Sequence, residues 1–274
     1  MNIKLNDILN FSEDELKNTK IKFNLMFGGN WNPIEIFKNN DKKTLLEGQY
    51  WNYSKNKIFK EGQNTIGFIR IKDNLWLLFH IGKVTKDLNI FNGVGYEYEE
   101  LSKYEKYFGR VIVKYKNTSQ NLSRNALPLI EECEVYQVLP DIFDNDIFPG
   151  YDNIKLSWSE LSRILDKESW KTALQNQKGV YLITDSSNGK MYVGSAYGEN
   201  MLLGRWKNYV TNGHGGNTEF KELSFEYIKQ YFTYSILEIF KSTIEDQIII
   251  NRESWWKEIL QTRSFGYNKN SKIK

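Results

Sequence analysis

Two tripeptides carry the clearest chemistry in this chain: Gly179-Val180-Tyr181 and Tyr192-Val193-Gly194, on short apolar runs either side of Asp185-Ser186-Ser187-Asn188-Gly189. An Asn-Gly break between such runs predicts a β-hairpin, because glycine accepts the positive φ of a tight turn. Two tyrosines on one face of a hairpin present two phenolic hydroxyls able to position or deprotonate a water. Arg205 and Tyr209 follow, four residues apart in Gly204-Arg205-Trp206-Lys207-Asn208-Tyr209-Val210, so on a helix they share a face. A second helical run from Ile248 to Leu260 carries the carboxylate Glu253, and Gly266-Tyr267-Asn268 ends the segment with an amide. Tyrosines, a guanidinium, a lone carboxylate and an amide are the parts of a site that cleaves phosphodiesters.

Each of these residues has a plainer use when taken alone. Tyrosine is favoured in strands and is most often a half-buried strand aromatic. An arginine on an amphipathic helix is usually solvated. Glu245 and Glu258 compete with Glu253 for the role of acidic ligand. His214, in Asn212-Gly213-His214-Gly215-Gly216-Asn217, is as readily an exposed loop residue as a site residue. The order of the pieces favours the chemical reading over the plain one.

In that order the pieces resemble the GIY-YIG nucleases, with Val180 and Val193 in place of the two isoleucines. The resemblance spans roughly residues 177–270 and includes Lys190-Met191-Tyr192-Val193-Gly194-Ser195, Ser235-Ile236-Leu237-Glu238 and Arg252-Glu253-Ser254-Trp255-Trp256. It looks nearest to the nuclease modules of homing endonucleases, and restriction enzymes share the same core. It implies a divalent-metal-dependent DNA endonuclease. On this resemblance Tyr181 is the general base or orients the attacking water, and Tyr192 holds the scissile phosphate or assists that base. Arg205 stabilises the charge of the transition state. Glu253 binds one cation, Mg²⁺ or Mn²⁺, and Asn268 supports the site or touches the phosphate. Tyr209 stands where the family often has histidine, and His214 falls near a second family histidine. One active site per chain cuts one strand at a time, so a double-strand break implies a homodimer or sequential nicks.

Elements must hold these residues in place, and the whole chain reads as α+β. The resemblance implies a C-terminal domain with a hairpin, helices and a central three-stranded sheet. Ahead of it, Asn32 before Pro33 predicts a helix start. Thr65–Ile71, Leu75–Ile81, Gly109–Tyr115 and Cys133–Leu139 read as strands, with Asp73-Asn74 as a turn. Several such strands predict an N-terminal mixed α/β domain with a small curved sheet or barrel. The tract from Asn92 to Tyr107 reads as an extended loop with a short helix. Ser157-Trp158-Ser159-Glu160 has capping-box spacing, and a further short helix is expected through Trp170–Leu174. The 274 residues suit two domains, placed at 1–165 and 166–274.

The first 165 residues hold 22 basic and 22 acidic side chains, and the remainder 15 and 12, so the whole net charge of +3 belongs to the nuclease-like part. Local groups such as Lys55, Lys57 and Lys60, or Lys103, Lys106, Arg110, Lys114 and Lys116, are then either nucleic-acid contacts or solvated faces. Cys133 is the one cysteine and is flanked by Glu132 and Glu134, which suits a small core side chain better than a reactive thiolate. His80 sits in an apolar run with no partner suggested by spacing. Trp31, Trp51, Tyr53, Trp76, Phe79, Tyr96 and Tyr98 are expected mainly in the core, a minority of them forming a pocket for an extruded base. No run of about 18 apolar residues is present, and the polar start lacks a signal-peptide stretch, so a cytoplasmic protein is expected. Restriction or anti-phage defence is the expected setting, with the N-terminal part choosing a target such as modified phage DNA. The alternatives are a ligand-gated non-specific nuclease, a homing-type enzyme and an inactive DNA-binding protein.

Overall fold

The computed structural model describes residues 2–28, 31–53 and 56–269; Lys55 lies outside them. Contacts divide the chain into two compact units, Met1–Asp144 and Asn145–Lys274. Residues 145–165, assigned to the first domain on sequence grounds, pack with the second unit for local reasons. Asp146 accepts from Arg163 Nε at 2.6 Å and from Lys167 Nζ at 3.2 Å, and its carbonyl accepts from the Trp170 indole at 3.0 Å. The short strand Lys155–Ser157 pairs with Phe232–Lys241.

The first unit is built on a seven-stranded sheet in the order Ser123–Asn125, Thr19–Asn24, Asn64–Lys72, Leu75–Asp87, Val111–Lys114 and Glu134–Val138, with Tyr96–Glu100 also pairing with Leu75–Asp87. Its two outer strands do not pair with each other, so the sheet stays open and no barrel closes. Thr19–Asn24 and Asn64–Lys72 are parallel, and such a connection needs a crossover. Helices Pro33–Lys38 and Lys42–Gln49 lie within it, the first with Asn32 at its N-cap. Alternation along the strands sends Phe68 and Leu78 to one core and Ile69 and Phe79 to another. The tract expected as a loop contains the strand Tyr96–Glu100 before its 3₁₀ turn Ser102–Tyr107. Pairing with the long neighbour overrides its run of glutamates: Glu97 and Glu99 point to the exposed face, and Glu100 points to the face shared with Tyr96 and Tyr98.

His80 is not isolated. Its Nε2 lies 2.8 Å from the Tyr50 hydroxyl and its Nδ1 3.1 Å from Glu100 Oε2, across strands and helices that spacing does not connect. Cys133 is fully buried, and burial together with the Glu132 carboxylate pushes its thiol up to about 12. Among the described residues, no helix is long and apolar enough to cross a membrane.

The second unit has a four-stranded antiparallel sheet in the order Lys155–Ser157, Phe232–Lys241, Gln177–Asp185 and Met191–Ala196. Three strands match the expected central sheet, and Lys155–Ser157 extends it by one at an edge. Ser157 then opens helix Trp158–Ile164 with both bonds of a capping box in place. One sheet face packs on helices Trp158–Ile164, Glu168–Leu174, Met201–Asn212 and Phe225–Tyr231; the other packs on helix Asp246–Ile259.

Candidate active site

The hairpin forms as its turn residues require, with Gly189 at φ 76°. Asp185 organises the turn: its carboxylate accepts from Tyr267 at 2.6 Å, from Ser187 Oγ at 2.7 Å and from Tyr227 at 2.9 Å. Strand alternation then gives the two tripeptides a two-sided meaning. Tyr181, Ile183, Tyr192 and Ala196 face the helical core, whereas Val180 and Val193 face Ile249 on the opposite side. Gly194 sits across from Tyr181 in the register, and a Cβ there would lie 2.4 Å from the Tyr181 hydroxyl. The glycine is needed because the tyrosine ring occupies its side-chain space. A register shift between Val180 and Tyr181 against Phe232–Lys241 further sets the aim of this side chain.

Helix Met201–Asn212 brings Arg205 and Tyr209 over the hairpin. Arg205 Nε donates to the Tyr181 hydroxyl at 2.7 Å, and that hydroxyl lies 2.9 Å from the Tyr209 hydroxyl. Arg205 Nη1 donates to the Gly215 carbonyl at 2.9 Å, and the guanidinium sits 5.3 Å over the Tyr209 ring. Tyr181 and Tyr209 are wholly buried, and burial holds both phenols well above their ordinary value. At neutral pH they are therefore neutral hydrogen-bonding groups. Tyr192 lies beside them, its ring centroid 6.4 Å from that of Tyr181, and its hydroxyl has no partner among the described residues.

Glu253 arrives from the other face of the sheet. Ile249, Glu253, Trp256 and Leu260 share the sheet-facing stripe of helix Asp246–Ile259, so the carboxylate interrupts an apolar row. The helix is tied down by Glu238, which accepts from Arg252 Nε and from the Trp256 indole, the latter at 2.9 Å. Glu253 Oε2 accepts from Ser195 Oγ at 2.9 Å, and Oε1 lies 2.8 Å from Lys257 Nζ.

Arg205 and Glu253 meet at one open cleft of ≈ 650 Å³ at the end of the hairpin. Ser195, Glu199, Lys207 and Asn208 also line it. Glu245 and Glu258 are exposed and do not. His214 is not a lining residue either; its Nδ1 accepts from the Gly216 amide at 2.9 Å, shaping the loop whose Gly215 carbonyl holds Arg205. Asn268 bonds both backbone groups of Val193, each at 2.9 Å, and so acts as a missing neighbour for the edge strand. Among residues the sequence reading passed over, Lys257 was legible as the i+4 partner of Glu253. Ser195 was legible as the strand residue alternating with Tyr192 and Gly194; nothing local signals Glu199 or Asn208.

A divalent cation can be tested against this donor set. Among the described residues no group of three or more His, Cys, Asp or Glu side chains could hold a metal. The carboxylate of Glu253 and the hydroxyl of Ser195 are hard oxygen donors at a cleft open to water. That suits Mg²⁺, which is commonly held by one or two carboxylates with waters and substrate phosphate.

Residues 177–268 match the GIY-YIG catalytic domain family. The chain carries a GIY-YIG domain. Among solved structures, a variant of the catalytic domain of intron endonuclease I-TevI is 31% identical, with a TM-score of 0.29, over 34% of this chain and 94% of that one. A second structure of that domain, titled as from homing endonuclease I-TevI, is 32% identical, with a TM-score of 0.28, over 34% of this chain and 99% of that one. No curated protein matches the chain. In this GIY-YIG domain the tyrosines and the glutamate stand on opposite faces of the sheet, and the cleft at its end brings Glu253 together with Arg205, the partner of Tyr181, while Tyr181, Tyr192 and Tyr209 do not line it.

Proposed function

We propose that the protein is a DNA endonuclease that hydrolyses phosphodiester bonds in the cleft shared by Arg205 and Glu253, with one Mg²⁺ or Mn²⁺ ion held by Glu253 and Ser195. The observation that carries this reading is the delivery of a fixed guanidinium and a lone carboxylate to one open cleft from opposite sides of a sheet. Arg205 has five N–H groups. Two are engaged by Tyr181 and Gly215, and the others are available to phosphate oxygens, where a held guanidinium stabilises developing negative charge.

On this reading Arg205, Tyr192 and Glu253 touch the substrate or its ion, while Tyr181, Tyr209, His214 and Asn268 are positioning residues. Tyr192 is 8% exposed and outside the cleft's lining, and its unpartnered hydroxyl is the group it would offer to a phosphate oxygen or to the attacking water. A bound divalent ion would supply Lewis-acid charge and a more acidic water. Residues 1–144 choose the target, and a target-choosing unit placed directly ahead of the nuclease suits a restriction or anti-phage enzyme.

The test is cleavage of supercoiled plasmid and of phage DNA with modified cytosine, with Mg²⁺, with Mn²⁺ and with EDTA. Metal-dependent nicking or linearisation that disappears in Arg205→Ala and Glu253→Ala is expected. Full activity of both variants, or full activity in EDTA, would overturn the assignment.

A further inference from the structure

The first unit has a cleft of its own, of ≈ 410 Å³, within the range of about 300–1,000 Å³ usual for small-ligand sites. Its walls are aromatic: Phe27, Trp31, Trp51 and Tyr53. Trp31 is fixed against helix Lys42–Gln49, where a Cβ on Gly48 would fall 1.8 Å from its ring. The other three remain in water, with Phe27 76%, Tyr53 56% and Trp51 38% exposed. Exposed aromatics gathered round one cleft mark a binding surface rather than a core.

The floor is polar and built. Lys22 and Asn24 line it, 5% and 4% exposed respectively. Lys22 Nζ donates to the Gly48 carbonyl at 2.7 Å and to the Gln49 carbonyl at 2.9 Å; burial lowers its pKa to about 7, and its ammonium form keeps one of three donors. The Asn24 amide nitrogen is filled by Gln49 Oε1 at 2.9 Å and the Phe68 carbonyl at 3.1 Å. Its Oδ1 has no partner among the described residues. Lys22 and Asn24, two residues apart on the strand Thr19–Asn24, thus bring a donor and an acceptor to a cleft with aromatic walls, the kinds of group that read a nucleobase edge while its ring is stacked.

We propose that this cleft receives the base of an extrahelical nucleotide in the DNA that the second unit cuts, a proposal that rests on the endonuclease reading. The charges of the lining favour a base still attached to its strand over a free nucleotide. Among the described residues, Glu47 and the carbonyl-bound Lys22 are the charged residues that line it, so the phosphates of a free nucleotide would meet no available cation among them. In a strand, the phosphates stay outside the cleft.

Binding of the full-length protein in EDTA tests this without reading cleavage. Fluorescence anisotropy compares a fully paired duplex with duplexes carrying one unpaired A, C, G, T or 5-hydroxymethylcytosine, with free nucleoside monophosphates as competitors. At least one unpaired base is expected to bind about tenfold tighter than the paired duplex. Trp51→Ala and Tyr53→Ala are expected to abolish that preference while keeping the paired-duplex affinity and the unfolding midpoint, since both side chains are exposed. Equal binding of all duplexes, or a preference unchanged in both variants, would overturn the proposal. Competition by a monophosphate as strong as by the duplex would assign the cleft to a free nucleotide and overturn it equally. A nuclease assay that failed would leave these outcomes readable, and a failed binding assay would leave plasmid cleavage unaffected.

Discussion

Replacing Tyr181 by Phe removes a single oxygen from the centre of the second unit and separates two accounts of this residue. That oxygen accepts from Arg205 Nε at 2.7 Å and lies 2.9 Å from the Tyr209 hydroxyl, with no exposed surface of its own. Its loss leaves a partly buried guanidinium N–H without a partner, at a cost of about 1–3 kcal/mol. It also removes one of the two anchors of Arg205. If Tyr181 positions Arg205, the cleavage rate falls by about ten- to a hundredfold, since about 1.4 kcal/mol corresponds to a factor of ten. Burial keeps the phenol protonated through the working range, so the pH–rate profile keeps its shape. Tyr209→Phe spares the Arg205–Tyr181 bond and has a smaller effect, and the double variant is less than additive because the two changes share one hydrogen bond. The assay is single-turnover plasmid cleavage between pH 6 and 10, beside urea unfolding of each variant. A rise in rate toward pH 10 in the wild type that is lost in Tyr181→Phe would refute the positioning account and restore a general-base role. An unchanged rate would refute both.

Three further outcomes follow from the same geometry. Gly194→Ala places a Cβ 2.4 Å from the Tyr181 hydroxyl and 2.8 Å from the Tyr192 ring; a loss of about 1–3 kcal/mol in urea unfolding is expected, with a cleavage defect that tracks Tyr181→Phe, and wild-type stability would contradict the packing. Lys257→Gln frees the Glu253 oxygen it now pairs with at 2.8 Å, so the Mg²⁺ concentration for half-maximal cleavage falls by about two- to fivefold; an unchanged midpoint in a Mg²⁺ titration would show that the lysine does not compete. In the first unit, the His80 hydrogen bond, ahead of that from Lys42, holds the Glu100 carboxyl down at about 2. A folded value below the unfolded one near 4.5 gives stability that is complete above that unfolded value and lost as pH falls toward 2. Thermal unfolding from pH 6 to pH 2 should show this acid limb, and His80→Gln should flatten it.

Much of the second unit was legible because its signals are local. The Asn-Gly turn, the i,i+4 pair Arg205 and Tyr209, the capping box at Ser157 and the carboxylate on the helix after Ile248 each depend on neighbours within a turn or a hairpin. The helix at Pro33 and the long strands of the first unit were legible for the same reason. The strands Thr19–Asn24, Ser123–Asn125 and Tyr96–Glu100 were not, because each is held by a partner far away in sequence. His80 is another such case: no spacing rule links it to Tyr50 and Glu100.

By itself, then, the order of residues determined which side chains could do chemistry, that they lie on a hairpin and two helices, and which family they resemble. Tertiary structure alone decided what each one faces. The period-two alternation of the hairpin can say that Tyr181 and Val180 point in opposite directions, but not which side helix Asp246–Ile259 covers. The fold placed Glu253 behind the sheet from the tyrosines, sealed the Tyr181 hydroxyl between Arg205 and Tyr209, and turned Asn268 onto the backbone of Val193. Likewise, Trp31, Trp51 and Tyr53 became the walls of one cleft only when a crossover carried them beside Lys22 and Asn24. Burial and partnership are properties of packed surfaces, and a linear pattern does not contain them.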